Sequence, residues 1–266
     1  MRIAVLWLVA TGCSFRLPAP AGGDPADDVT PDAAPAGDTP SFVSCTTSDE
    51  SLTVCLELED PANLGRDGSG KAHDAELVSV TTMTRTLPAP SRAAMLGGAS
   101  RIAIPDAPDF NLSAFTVAAW AMPTAAAPPG GEIGVLDLGA REAAIVLDDQ
   151  NRALCYLRTT QTLWFRSGAT VPLGTWSFLA CTYQPPMLCS YVIHGDGAVA
   201  DKSCGSTTDG APMHTSSQVG VRIGNVADDP SGAFGVPLAG AVDGIRVYQR
   251  ALTAAELCAS GGATGC

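Results

Sequence analysis

Two kinds of residue in this 266-residue chain could do chemistry: paired carboxylates and exposed rings. Hydrolysis of a glycosidic bond takes two carboxyl groups facing one bond. Glu57 and Glu59, in LELED, share a strand face, but they belong to the first strand and their neighbours are plain apolar residues. Asp148 and Asp149 are adjacent rather than alternating and read as a turn. No Gly-x-Ser-x-Gly elbow occurs to present a nucleophile. His73, His194 and His214 lack the spacing with cysteines that a zinc site needs. The glycine-rich GGDPADD does not join a strand to a helix, so it is no phosphate loop. The residue types point away from catalysis.

Rings offer the other chemistry, stacking on the face of a sugar. Trp120 and Trp176 stand beside Val, Phe and Ala within strands and read as core. Trp164 and Phe165 are neighbours, so in a strand they point to opposite faces, and one of them is a candidate for exposure. Trp164, with Tyr156 or Tyr191, is the expected stacking platform.

The elements that must position these residues read as strands. FTVAAWAM, IGVLDLG, EAAIVLDD, RALCYLRT, TLWFRSG, WSFLACTY, CSYVIHG, GAVADKS, QVGVRIGN and GAVDGIRVYQ are short, rich in β-branched and aromatic residues, and separated by Gly, Pro, Asp and Asn turns. SLTVCLELED and RIAIPD precede them. No long helix-period stretch interrupts the series, which excludes βαβ repeats and their parallel sheet. An all-β, two-sheet antiparallel sandwich is expected over 41–266. One short helix is predicted at ALTAAEL, where Thr253 and Glu256 have the spacing of a capping box.

The start of the chain reads as export. MRIAVLWLVATGC has one positive charge, an apolar run too short to span a bilayer, and small residues before a cysteine. Ala10 to Cys13 resembles a bacterial lipobox, which implies a signal segment over 1–12 and acylation of Cys13. An ordinary signal peptide is the alternative. Residues 13–40 are Pro, Ala, Gly and Asp with almost nothing to bury, the composition of a disordered tether. The expected location is the bacterial cell envelope, anchored by lipid at the outer membrane, or outside the cell. Membrane contact is expected through the lipid alone. The net charge of -12, from 15 basic and 27 acidic residues, argues against nucleic acid as a partner.

With Cys13 set aside, eight cysteines remain: Cys45, Cys55, Cys155, Cys181, Cys189, Cys204, Cys258 and Cys266. An even set in an exported chain implies disulfides whose connectivity sequence cannot give. Cys181 with Cys189 and Cys258 with Cys266 are the expected pairs, because each spans a short loop.

The order of the pieces resembles the laminin-G-like, concanavalin-A-like jelly roll over Leu52 to Leu257. The segments that carry the resemblance are RDGSGKAHDAEL, ASRIAIPDAPDFNLSAFTVAAWAMP, PLGTWSFLACTY, SYVIHGDGAVA and the closing LAGAVDGIRVYQRALTAAEL. His194 stands where Asn is common and Gly244 where an acid is common. The resemblance implies one structural calcium between the early Asp loop and the late strands, with Asp67 and Asp243 as its carboxylates. RDGSG supplies the oxygen ligands calcium prefers, but Asp67 could equally stabilise its own turn. Asp243 alternates with Ala241 and Ile245 on a buried face and needs either hydrogen bonds from backbone and Arg or a cation. The family's range implies a non-enzymatic binding module, for carbohydrate first. A protein-binding or structural envelope component is the alternative, and a glycoside hydrolase a more distant one. An extracellular glycan or protein is the expected partner.

Overall fold

The computed structural model describes residues 45, 48–86, 88–207, 210–213, 219–226 and 237–263. Cys13, the proposed tether, His214 and Cys266 lie outside them.

The strands are short because turn residues cut the apolar runs, and their edges follow the sequence segments closely. In order they are β1 (Leu52–Leu56), β2 (Glu76–Val78), β3 (Thr81–Arg85), β4 (Ser91–Leu96), β5 (Arg101–Ile104), β6 (Phe115–Pro123), β7 (Glu132–Leu138) and β8 (Ala143–Asp148). There follow β9 (Arg152–Arg158), β10 (Thr162–Thr170), β11 (Ser177–Gln184), β12 (Met187–His194), β13 (Val199–Ser206), β14 (Val221–Ile223) and β15 (Gly240–Tyr248). The helix α1 covers Ala254–Ser260.

Two antiparallel sheets result. One runs β13-β12-β11-β6-β15-β4-β3, with β1 also paired to β15, and has eight strands. The other runs β10-β9-β8-β7-β14-β5-β2 and has seven. This is the expected sandwich with its short C-terminal helix.

Alternation divides each central strand between two apolar layers. Val117, Ala119 and Ala121 of β6 join the core between the sheets, with Ile145, Leu157, Leu179 and Val247. Ala118 and Trp120 of the same strand point the other way, into a second layer with Trp176, Phe178, Leu252 and Leu257. The helix closes this second layer, and that is why β6 and β11 read as continuous apolar runs rather than alternating ones. Thr253 accepts from the Glu256 amide while Glu256 accepts from the Thr253 amide, the reciprocal cap anticipated from their spacing.

The disulfides correct one expectation. Cys181 does not pair with Cys189; the bonds are Cys45–Cys55, Cys155–Cys181 and Cys189–Cys204. Strand parity is the reason. Cys189 lies opposite Thr182, so Cys181, one residue along, points to the other face of the sheet. Cys181 therefore enters the inter-sheet core and meets Cys155 of β9, joining the two sheets. Cys189 faces its cross-strand neighbour Cys204 on β13. Cys258 is disulfide-bonded, and its expected partner Cys266 lies outside the described residues.

Three strands, β2, β3 and β4, went unread in the sequence. β2 and β3 are mostly exposed and β3 is TTMTR, with no apolar face to announce it. At the other end of the same region LELED leaves the strand after Leu56, so Glu57 and Glu59 do not share a strand face. Glu57 instead accepts the Cys45 amide at 2.6 Å, and Glu59 accepts the Arg92 amide at 2.8 Å.

Candidate functional site: the outer face of the seven-stranded sheet

Register lines up one row of side chains across the seven-stranded sheet. Trp164 of β10 lies opposite Tyr156 of β9, which lies opposite Ala144 of β8. Ala144 lies opposite Asp137 of β7, and Asp137 opposite Arg222 of β14. Cys155 and Ile145 beside this row point into the core, so the row itself faces outward. Trp164 is 53% exposed. Its neighbour Phe165 points inward, where its ring fills the space a side chain at residue 205 would need, and Gly205 admits it.

Local structure fixes the platform from three sides. Asp201 of β13 accepts the Gly168 amide at 2.7 Å and the Ser167 and Ser203 hydroxyls at 2.8 Å, tying the edge strand β10 to the other sheet. Burial pushes the Asp201 carboxyl up, but these hydrogen bonds outweigh it and hold it below the usual carboxylate range. The turn after β7 is tight, with Gly139, Ala140 and Arg141 all at positive φ, and the Arg141 amide donates to Asp137 at 2.7 Å. That turn brings the Arg141 guanidinium to 5.5 Å from the centre of the Tyr156 ring and 3.0 Å from Glu132. Finally, Val226 packs on Ala144, Val146 and Leu154 and covers the middle of the face. The segment approaches so closely that a Cβ at Gly134 would lie 2.4 Å from the Asn225 carbonyl carbon. The β9–β10 end is left exposed.

The polar groups of the face are already engaged with one another. The Tyr156 hydroxyl donates to Glu132 at 2.5 Å. Burial, followed by that hydrogen bond and the Glu132 charge, pushes the phenol up to about 12. Asp148 accepts the Gln150 and Arg152 amides at 2.9 and 2.8 Å and two bonds from the Arg152 guanidinium. Arg166 Nε lies 3.1 Å from the same carboxylate, and its guanidinium carbon lies 5.2 Å from the centre of the Trp164 ring. Burial raises the Asp148 carboxyl, but the Arg152 and Gln150 hydrogen bonds prevail and lower it overall.

Trp164 and Tyr156 are thus brought together, and Tyr191 is not. Tyr191 lies on β12, in the other sheet, only 6% exposed, in the layer under α1 with Lys202 Nζ 5.5 Å from its ring centre. His194 ends β12 at a hairpin rim and lies 3.3 Å from the Ser177 hydroxyl, and His73 lies 3.2 Å from Asp109. The arginines of the face, Arg141, Arg152 and Arg166, were not singled out in the sequence. Arg152 and Arg166 sit on the outward parity of strand segments that were legible, whereas Arg141 lies in the turn after β7, which no strand pattern marks.

The carboxylates implied for calcium have other partners. Asp67 Oδ1 accepts the Cys55 and Ser69 amides at 2.9 and 3.0 Å; Oδ2 accepts the Ser69 hydroxyl at 2.6 Å and the His73 amide at 3.0 Å. Asp243 accepts Arg85 Nε at 2.6 Å, the Ser91 hydroxyl and, at 2.7 Å, the Gly244 amide. Donor hydrogens point at the carboxylate oxygens, and at Asp243 a guanidinium supplies the positive charge. Calcium wants about six to eight oxygen ligands. The donor sets as arranged do not fit it. Among the described residues one cluster, Cys45, Cys55 and Glu57, gathers ligand atoms within 4.8 Å, but its two sulfurs are bonded to each other.

Residues 96–258 match the model of the concanavalin A-like lectin/glucanases superfamily. The chain belongs to that superfamily. No curated protein matches the jelly roll's sequence significantly. Solved structures that resemble it share the fold alone. Domain 4 of AbnA, a GH43 extracellular arabinanase from Geobacillus stearothermophilus in complex with arabinotriose, is 19% identical with a TM-score of 0.58. That match covers 79% of this chain and 98% of that one. The binding domain of Paraclostridial Mosquitocidal Protein 1 is 15% identical with a TM-score of 0.61, over 80% of this chain and 52% of that one. Botulinum neurotoxin type C, whose cell entry depends on interaction with two ganglioside molecules, is 11% identical with a TM-score of 0.55, over 81% and 52%.

The disulfides mark a protein that folds in an oxidising, non-cytoplasmic environment. Among the described residues no helix is long and apolar enough to cross a membrane.

Proposed function

We propose that the jelly roll is a non-enzymatic, extracellular carbohydrate-binding module, displayed on the tether over residues 13–40 and anchored through lipid on Cys13. The observation that carries the carbohydrate reading is the Trp164 ring, half exposed and in register with Tyr156 on an outward sheet face. A flat ring on a rigid strand gives a sugar an apolar face to stack on, at little cost in side-chain entropy. The solved relatives bound to arabinotriose, or dependent on gangliosides, support the same class of ligand.

The acids of the face support binding over hydrolysis. A glycosidase needs one carboxyl held protonated and another turned to the sugar. Here Glu132 is committed to Tyr156 and Arg141, and Asp148 is held ionised by Arg152. Screening the purified protein and its Trp164→Ala variant on a broad glycan array tests the reading. Binding to one saccharide class that the variant loses is the expected result. No binding by the folded protein would overturn it and turn the search to protein partners.

A further inference from the structure

The edge of the sheet that carries Trp164 differs in charge from the rest of the chain. The whole sequence has 27 acidic residues against 15 basic, yet between Asp149 and Asp196 there is no Asp or Glu at all. That interval holds β9 and β10, and on their outward face it places Arg152, Arg158 and Arg166. The nearest acid on the face, Asp148, is shared by two arginines, so the three groups together carry a net positive charge.

Arg166 is the member built to meet a ligand. Its side chain is 40% exposed. It pairs with Asp148 through Nε, and among the described residues its two Nη groups meet no hydrogen-bond partner. The guanidinium carbon stands 5.2 Å from the centre of the Trp164 ring. A sugar stacked on that ring would hold its substituents within reach of the Nη pair. A guanidinium fork matches a carboxylate or sulfate bidentately, and a neutral hydroxyl gains far less from it.

We infer that the saccharide taken on Trp164 is acidic, its carboxylate or sulfate received by Arg166. This rests on the carbohydrate reading and narrows it from saccharides in general to uronate, sialyl or sulfated ones. The anchored Nε makes the selectivity a property of the resting protein: Asp148 holds the guanidinium before any ligand arrives.

Titration calorimetry on the purified protein separates the two claims. The probes are trigalacturonate with its methyl ester, sialyllactose with lactose, and a heparin hexasaccharide with its desulfated form. At least one acidic member is expected to bind about tenfold or more tightly than its neutral counterpart. Added salt should weaken that member alone. Arg166→Gln is expected to abolish the preference, and Trp164→Ala to abolish binding, both with unchanged melting temperature. Equal affinity within every pair, or a preference that survives Arg166→Gln, overturns the acidic assignment and leaves the carbohydrate reading standing. Silence from all six probes overturns the acidic assignment, and the glycan array alone decides the carbohydrate reading.

Discussion

Trp164 and Tyr156 stand directly opposite one another on neighbouring antiparallel strands, one ring half exposed and the other drawn down by Glu132 and Arg141. The first is half exposed, with the Arg166 guanidinium over its ring; the second fixes the floor beside it. Trp164→Ala should therefore leave stability within about 0.5 kcal/mol, as for an exposed position, while saccharide affinity falls by at least about tenfold. Thermal melts and calorimetry on the same sample check both halves.

The Tyr156 hydroxyl gives a spectroscopic handle on that floor. With the phenol pushed up to about 12, its absorbance should titrate near that pH in the folded protein. Glu132→Gln should bring the midpoint down, since the carboxylate both accepts the bond and opposes a second negative charge. The raised value stabilises the fold below the ordinary tyrosine range and is lost as pH climbs through 12.

Calcium makes no contribution to the fold if the donors around Asp67 and Asp243 keep the partners they have. The melting temperature should be the same in millimolar calcium and in chelator. A rise with calcium would show that the amide and hydroxyl donors at Asp67 give way to a metal.

Arg85 and Asp243 form a buried pair whose guanidinium lies 4.7 Å from the centre of the Trp120 ring. Removing one partner leaves the other charge buried without its counterpart. Asp243→Asn should cost about 3–5 kcal/mol, measured by denaturant unfolding. Replacing both with apolar residues, Arg85→Met with Asp243→Leu, should cost less than the single change.

Glu256 sets an acid limit on the helix cap. The Arg250 hydrogen bond pulls its carboxyl down to about 2, from an ordinary value of 4.5. A depressed carboxylate stabilises the fold above its unfolded pKa, and the contribution disappears as pH falls through the folded one. Both side chains are more than a third exposed, so solvent screening limits the effect to about 1 kcal/mol. The stability gap between the protein and Glu256→Gln should hold steady down to about pH 5 and close by about pH 2.

The sandwich was legible because its central strands announce themselves. Segments such as FTVAAWAM and WSFLACTY are mostly apolar, bounded by turn residues, and they became β6 and β11. The cap at Thr253 was legible for a different reason: its chemistry is local, three residues apart. What the sequence hid is non-local or weakly patterned. β3 has no apolar stripe, so Arg85 could not be named as the partner of Asp243 in advance. Tyr191 and Tyr156 look alike in sequence, yet one lies under the helix and the other on the open sheet, because sheet membership is decided by strand order. The Cys181 pairing failed on parity, since loop length ignores which way a side chain points.

The bond from Cys155 to Cys181 has a mechanical consequence. A pull on Trp164 is a pull on β10, an edge strand, and edge strands peel one hydrogen bond at a time. Directly behind it, β9 is bolted to β11 through the middle of the molecule by sulfur. Load that reaches β9 is passed to the opposite sheet along covalent bonds. A sandwich held by packing alone has no such covalent stop against shear between its sheets.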